Sequence, residues 1–253
     1  MNSTLTLERL PDQETTVTPQ AHYWRILDDR ILDKILRVLV PVSLVNIAIA
    51  LYMALFYAPR EATMGDAQRI FYFHVPSAWV GFLSFFIVFV ASILFLRTRE
   101  RKWDALALAA AEIGVLFTTL VLLTGPLWAK AAWGAYWVWD ARLTTTLVLW
   151  LIYVGYLMLR SSVDDLRRAR MAAVIGVIGF LDVPIIYLSV TWWRTMHPTL
   201  LINETGGLDS AMRVTLMVAL LSFTLLFVWV LLLRVRLEQK RDALALQRAR
   251  QEA

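Results

Sequence analysis

Cysteine is absent from this chain of 253 residues, which excludes disulfides, thiolate metal sites and thiol catalysis. Histidine is scarce, with three copies, and charged residues make up only 18% of the sequence. A soluble domain usually has about 25% charged residues. Hydrophobic residues make up 59% of the chain, so we assign it to a bilayer rather than to the soluble proteins.

Six apolar runs are each long enough to cross a hydrocarbon core of about 30 Å as a helix. They lie near residues 37–59, 76–96, 105–124, 143–159, 171–190 and 212–233. No strand-like alternation competes with them. We therefore predict an all-α, six-helix transmembrane bundle over 37–233, with polar tails at 1–36 and 234–253. The first run exceeds the length of a signal-peptide core, which predicts a retained N-terminus.

Lysine and arginine in the short loops predict the orientation of the bundle. The positive charges collect in 97–104, in 160–170 and after residue 233, so these segments are expected in the cytoplasm together with both termini. The segments 60–75, 125–142 and 191–211 are then expected to face outward. The net charge of +5 reflects this asymmetry and indicates no affinity for nucleic acid.

All three outward segments carry unusual residues. Trp133 to Asp140 reads WGAYWVWD, with four aromatic rings in eight residues, while His74 and His197 lie in the other two segments. We expect His74 just before the start of helix 2, where Pro76 suits the first turn. We expect His197 just past helix 5, so the bundle can bring both imidazoles to one face. The third histidine, His22, is expected to be solvated in the tail.

Two imidazoles without thiolates do not complete an ordinary four-ligand zinc site. Two imidazoles can complete haem iron, because the porphyrin supplies the four equatorial ligands. The aromatic rings then give a flat apolar disc a surface to stack on. Arg69 and Arg142, close in sequence to His74 and Asp140, are candidate partners for the two propionates.

The stretch resembles the WWD signature, WGxxWxWD, of haem-handling proteins of cytochrome c maturation, and in particular the CcmC family. The segments RIFYFHVPSAW, TGPLWAKAAWGAYWVWDARLT and DVPIIYLSVTWWRTMHP look like CcmC segments in the same order. The resemblance covers roughly residues 25–235. Four fixed aromatic or acidic positions with two flanking histidines form a specific signal.

The resemblance implies a binding and presentation role rather than catalysis. His74 and His197 match the two axial ligands of the iron of haem b, and Arg69 and Arg142 match basic positions near the propionates. The matching haem-holding residues are Trp128, Trp133, Trp137, Trp139 and Asp140. The family works in the bacterial inner membrane with the ABC-type partners CcmA and CcmB and the small subunit CcmD, and presents haem to the periplasmic chaperone CcmE.

Structural roles compete with these readings. The aromatic residues could form an interfacial belt, and the two arginines could snorkel or pair with Asp140. Asp140 could fix the segment through backbone N–H groups. Trp133 and Trp137 would share one face if the segment were helical. The amphipathic stretch from His22 to Leu36 predicts an interfacial or partner-docking helix.

Two ionisable residues inside the apolar runs have no assigned role. These residues are Glu112 and Asp182. Ionisable groups are costly inside a membrane and are often functional. Asp182 lies two residues before Pro184, and a proline kink gives it an equally good structural explanation.

Three other functions remain open at this stage. A haem lyase would need an acid or base at the vinyl groups, and only Asp140 and Glu204 are available. A haem exporter would need polar groups distributed through its spans, whereas here they collect at one end. An electron-transfer cytochrome usually has histidines within its helices, and we expect none there.

Overall fold

The computed structural model describes residues 24–161, 166–193, 197 and 208–252, and in these residues it contains helices and no β-strand. Among these residues, seven α-helices follow one another: α1 Asp29–Tyr52, α2 Phe71–Thr98, α3 Arg101–Trp133, α4 Ala141–Ser161, α5 Leu166–Phe180, α6 Asp182–Trp192 and α7 Ser210–Glu252. A π-helical turn, Met53–Tyr57, extends α1, and a 3-10 turn, Asp66–Ile70, leads into α2.

Six of these segments are long and apolar enough to cross a membrane, counting α5 and α6 as one. The predicted all-α, six-span architecture is therefore confirmed. The helices extend beyond the apolar runs, most of all α7, which has 43 residues. At 1.5 Å per residue α7 is about 64 Å long, roughly twice the thickness of a hydrocarbon core.

The fifth span is broken at Leu181, between α5 and α6. The N–H of Leu181 bonds the carbonyl of Ile178 at 3.0 Å, an i to i−3 bond in place of the helical i to i−4 bond. Pro184 has no N–H and crowds the preceding turn, which explains the break. The predicted proline kink is thus present.

The centre of the bundle is a buried cluster of residues from α2, α3, α4, α5 and α6. Phe85 of α2 stacks on Tyr153 of α4 with ring centroids 3.8 Å apart. A Cβ at Gly114 of α3 would lie 2.5 Å from the Phe85 ring, so this close packing requires glycine. Small residues at helix contacts are the usual means of close approach in membrane bundles.

Helix α1 packs mainly on α7. The Ser222 hydroxyl of α7 donates to the carbonyl of Asn46 at 3.1 Å. Within the amphipathic stretch predicted from His22 to Leu36, residues from Asp29 form the first turns of α1. There Asp33 pairs with Arg236 at 2.8 Å, so this stretch contacts the extension of α7 within the same chain.

A network of ion pairs joins the helices at the end where α2 and α4 terminate and α3 begins; we call it the charged end. Asp104 of α3 is 3% exposed and accepts hydrogen bonds from Arg101 and Arg160. Arg234 of α7 pairs with Glu112 and Glu238. Glu112 therefore has a structural partner, which its position in an apolar run did not reveal. Arg101 also reaches Asp242 at 3.0 Å.

The start of α2 differs from the prediction. Pro76 lies in the second turn of α2 rather than the first, because the helix already begins at Phe71. Phe71 and Tyr72 are buried against α7 and the π turn, and this burial favours helix before the proline. The prediction that no histidine lies within a helix is consequently wrong, since His74 is the fourth residue of α2.

Candidate functional site

His74 is held against α3 by three neighbouring residues. Its Nδ1 lies 2.9 Å from the hydroxyl oxygen of Thr124. Its ring lies against Trp128, with centroids 5.8 Å apart. A Cβ at Gly125 would lie 3.1 Å from Cε1 of His74, so glycine allows the imidazole to approach the backbone of α3 closely.

His197 is held by the segment between α3 and α4. Its Nδ1 lies 3.0 Å from Oδ2 of Asp140, and its side chain is 18% exposed. Its ring meets Trp133 edge-on with centroids 4.9 Å apart. Burial lowers the pKa of His197 below its ordinary value, although the hydrogen bond with Asp140 acts in the opposite direction. His197 is therefore neutral near pH 7, which is the form that binds a metal.

The two histidines and Arg142 converge at one end of the bundle, which we call the site end. His74 lies close enough to His197 and Arg142 to interact electrostatically with both. Arg142 in turn interacts with Asp140. Residues from three distant segments thus meet as the sequence predicted, with one cation beside two neutral rings.

The WGAYWVWD stretch is not one helix. Gly134, with φ of +76°, ends α3 and bonds the carbonyl of Lys130 at 3.1 Å. The condition for a shared helical face of Trp133 and Trp137 is therefore not met, because only Trp133 is helical. Trp137 instead meets Trp139 edge-on, with centroids 5.5 Å apart. Trp139 is 76% exposed.

Asp140 contacts both a backbone N–H and an imidazole. Its Oδ1 accepts the backbone N–H of Leu143 at 2.8 Å, while its Oδ2 faces His197. A carboxylate at this position caps the start of α4. Its negative charge is also stabilised by the positive end of the helix dipole. One side chain thus fixes both the end of the aromatic segment and the orientation of an imidazole.

Arg69 bonds residues outside this cluster. Its guanidinium donates to the carbonyl of Ala54 at 2.6 Å and to Asp66 at 3.2 Å. The carbonyl of Ala54 belongs to the π-helical turn. The side chain of Arg69 is 25% exposed. These contacts give Arg69 a structural role beside the predicted one.

Buried indole N–H groups form part of the site end. Within the described residues, Nε1 of Trp128 and Nε1 of Trp137 are buried and have no hydrogen-bond acceptor. Such a group costs about 1–3 kcal/mol when unsatisfied. Both are therefore suited to donate to a bound molecule that carries acceptor oxygens.

The described part of the chain contains no group of three or more His, Cys, Asp or Glu that could hold a metal ion. Two imidazoles suit a metal that arrives with its own equatorial ligands. The site end therefore fits a flat apolar macrocycle with acidic side groups. The aromatic rings suit its flat faces, the neutral imidazoles suit its metal, and the indole donors and Arg142 suit its acidic groups.

Sequence reasoning missed Thr124 and Gly125. A threonine and a glycine in an apolar run give no periodic signal, and their importance depends on a histidine about fifty residues away. Asp182 lies at the helix break, and its Oδ2 is buried without a partner among the described residues. His22 and Glu204 lie outside the described residues.

Comparison with known proteins gives a family for the chain. The model of the CcmC family, described as "Heme exporter protein C", matches residues 25–250. The chain belongs to the CcmC family. The sequence-based resemblance to this family is thereby confirmed.

Relatives from bacteria and plants match over much of the chain. "Heme exporter protein C" of Bradyrhizobium diazoefficiens is 41% identical over 208 residues, 81% of this chain and 79% of the relative. The protein of the same name from Escherichia coli K12 is 38% identical over 71% of this chain and 74% of its own. A "Putative cytochrome c biosynthesis ccmC-like mitochondrial protein" of Marchantia polymorpha is 40% identical over 63% of this chain and 68% of its own.

Proposed function

We propose that this chain binds haem b at the site end and presents it to the chaperone CcmE during cytochrome c maturation. Haem is the cargo, with His74 and His197 as the axial ligands of its iron. Arg142 lies beside both histidines and is suited to a propionate. Stacking surface comes from the indole rings of Trp128, Trp133, Trp137 and Trp139, two of which also offer an N–H donor. Asp140 orients His197. Arg69 is assigned to the second propionate. To bind this propionate, the Arg69 guanidinium must replace its hydrogen bond to Asp66 with one to the propionate.

The observation that carries this proposal is the way the two imidazoles are held. Each histidine has Nδ1 in contact with an oxygen of another helix or segment. A ligating histidine usually binds the metal through one nitrogen while the other is hydrogen-bonded to the protein. Two histidines with this arrangement, within electrostatic reach of each other, form a pair suited to the two axial positions.

The family and the loop charges support the surroundings that we propose for the protein. Names of relatives refer to heme export and cytochrome c biosynthesis, which supports a role beside CcmA, CcmB and CcmD in the bacterial inner membrane. The excess of lysine and arginine in 97–104 and 160–170 supports a cytoplasmic charged end. The site end then faces the periplasm, where a haem chaperone can reach it.

Haem content and the absorption spectrum test the ligand assignment. His74→Ala and His197→Ala should each remove the low-spin spectrum of two axial imidazoles from the purified protein. His74→Gly and His197→Gly should recover part of it when imidazole is added, because the small side chain leaves room for the free ligand. Normal elution in size-exclusion chromatography controls for folding.

His22→Ala is the matched control, because it removes the remaining histidine of the sequence. Its spectrum should equal that of the wild type. The assignment is wrong if the double variant of His74 and His197 keeps the wild-type spectrum. If haem becomes covalently attached to CcmE with purified components alone, and this needs a carboxylate of the chain, the haem-lyase alternative gains support.

A further inference from the structure

The contact between His74 and Thr124 has a direction that the neighbouring atoms determine. The Thr124 hydroxyl oxygen lies 2.7 Å from the carbonyl oxygen of Leu120 and 2.9 Å from Nδ1 of His74. Two oxygens at 2.7 Å repel unless a hydrogen lies between them. The single hydroxyl hydrogen therefore points at Leu120. Consequently Nδ1 of His74 carries a hydrogen and donates it to Thr124, so the lone pair is on Nε2.

Two other threonines of the bundle show the same arrangement with an unambiguous donor. Thr119 of α3 donates to the carbonyl of Val115 at 2.7 Å and accepts from the indole of Trp150 at 2.8 Å. Thr224 of α7 likewise donates to Leu220 and accepts from Trp79 at 3.1 Å. An indole N–H can only donate. Thr124 therefore receives a ring N–H just as these two residues do.

The two histidines consequently face acceptors of different strength. His197 donates to a carboxylate, whereas His74 donates to a neutral hydroxyl. Hydrogen bonds to ionised acceptors are roughly twice as strong as those between neutral groups. A stronger acceptor on one nitrogen raises the basicity of the other nitrogen as a metal ligand. With haem bound as proposed, His197 would therefore be the stronger iron ligand and His74 the weaker one.

We propose that Thr124 is a positioning residue that fixes the tautomer of His74 and keeps it the exchangeable ligand of haem iron. This inference rests on the proposed function, because it concerns the release of the same haem. An incoming ligand replaces His74 first, while His197 retains the iron. Gly125 supports this arrangement by leaving room for the imidazole beside α3.

The first part of the test needs no haem. The haem-free protein, labelled with ¹⁵N-histidine in liposomes, is studied by solid-state NMR, which reports which ring nitrogen carries hydrogen. With three histidines in the sequence, single substitutions assign every signal. His74 should be protonated at Nδ1. Thr124→Val should shift it toward the Nε2-protonated tautomer, and Thr124→Ser should retain the wild-type signal.

The second part measures ligand exchange in protein loaded with ferric haem b. Cyanide replaces the weaker axial ligand at a rate that absorption spectroscopy follows. Thr124→Asp gives His74 a carboxylate partner and should slow this exchange about 10-fold, whereas Thr124→Val should speed it by a similar factor. Thr119→Val is the matched control, because it removes a threonine hydroxyl from the same helix beside an indole. It should leave the exchange rate unchanged.

The outcomes separate the two proposals. Hydrogen on Nε2 of His74 in the wild type overturns the role of Thr124, as does a Thr124→Val variant with unchanged NMR signals and exchange. Absence of haem binding by the wild type overturns the proposed function, while the NMR result still decides whether Thr124 fixes the tautomer. If Thr124→Val fails to fold, Thr124→Ala and Thr124→Ser give the same comparison.

Discussion

The two ends of the bundle hold their polar groups in different ways. At the charged end, full charges face opposite charges: Asp104 contacts Arg101 and Arg160, and Arg234 contacts Glu112 and Glu238. At the site end, His74 and His197 are fixed through Nδ1, and the indoles of Trp128 and Trp137 have no acceptor among the described residues. One end joins the helices, and the other end carries the polar groups to which we assign the proposed haem cargo.

Stability and the proposed function depend on different ends of the molecule. Removing one partner from a buried ion pair costs several kcal/mol, because the remaining charge is left in a medium of low dielectric constant. Removing a neutral ring or hydroxyl from the site end should cost less in folding and, under the proposed function, should alter haem binding. Variants at the charged end should therefore lose stability and keep their haem. Variants at the site end should keep most of their stability and lose haem.

The largest expected effect is at the charged end. Asp104→Ala leaves Arg160, whose side chain is 10% exposed, without its carboxylate partner. We expect a loss of about 3–5 kcal/mol in unfolding free energy, measured by thermal or denaturant unfolding in detergent. The folded fraction should retain the haem spectrum of the wild type. Glu100→Ala, at an exposed ion pair with Lys102, is the control and should unfold nearly as the wild type does.

The next effect separates stability from haem binding at the site end. Gly125→Ala should displace His74, because the new Cβ would lie 3.1 Å from its Cε1, and haem retention should fall about 10-fold. Helix propensity favours alanine over glycine by about 1 kcal/mol. This gain offsets the cost of displacing the ring, so the unfolding free energy should change little.

Gly155→Ala on α4 is the matched control for this substitution. A Cβ there meets nothing within 4 Å, so it should retain haem as the wild type does. Equal haem loss in both alanine variants would contradict the role assigned to the close approach of His74.

A smaller effect concerns the indole donors. Trp128→Phe keeps most of the ring but removes a buried N–H without an acceptor among the described residues. Haem affinity should fall about fivefold, equivalent to one hydrogen bond of about 1 kcal/mol, and unfolding should be unchanged or slightly harder. Titration with haem measures the first quantity, and thermal unfolding measures the second.

Trp150→Phe reverses this pattern. Its indole already donates to Thr119, so the variant should lose about 1 kcal/mol of stability and no haem affinity. Unchanged haem affinity in Trp128→Phe would mean that the indole does not donate to the cargo.

The smallest effect on the protein itself is expected at the exposed ring of the aromatic segment. Trp139 is 76% exposed, so Trp139→Ala should change the unfolding free energy by less than about 0.5 kcal/mol. It should retain haem but co-purify less CcmE, since exposed aromatic patches commonly form partner sites. Phe56→Ala, at a ring that is 74% exposed, should affect neither. Parallel loss of haem and CcmE would contradict a separate docking surface.

The sequence predicted the helices well because crossing a membrane demands long apolar runs. It also predicted that His74 and His197 would share one end, since loop charges sort the segments by side. It could not predict the π-helical turn that engages Arg69, because one additional residue in a helical turn has no composition signal. The role of Thr124 depends on packing between α2 and α3. Gly134 does carry a signal for the end of α3, since glycine commonly follows the last helical residue.

The number and identity of the axial imidazoles is the central claim, and electron paramagnetic resonance of the ferric haem-loaded protein tests it most directly. Wild-type protein should give one low-spin species typical of two imidazole ligands. His74→Ala and His197→Ala should each give a high-spin signal, and His22→Ala should match the wild type. A high-spin wild type, or a low-spin signal that persists when His74 and His197 are both replaced, would contradict the account.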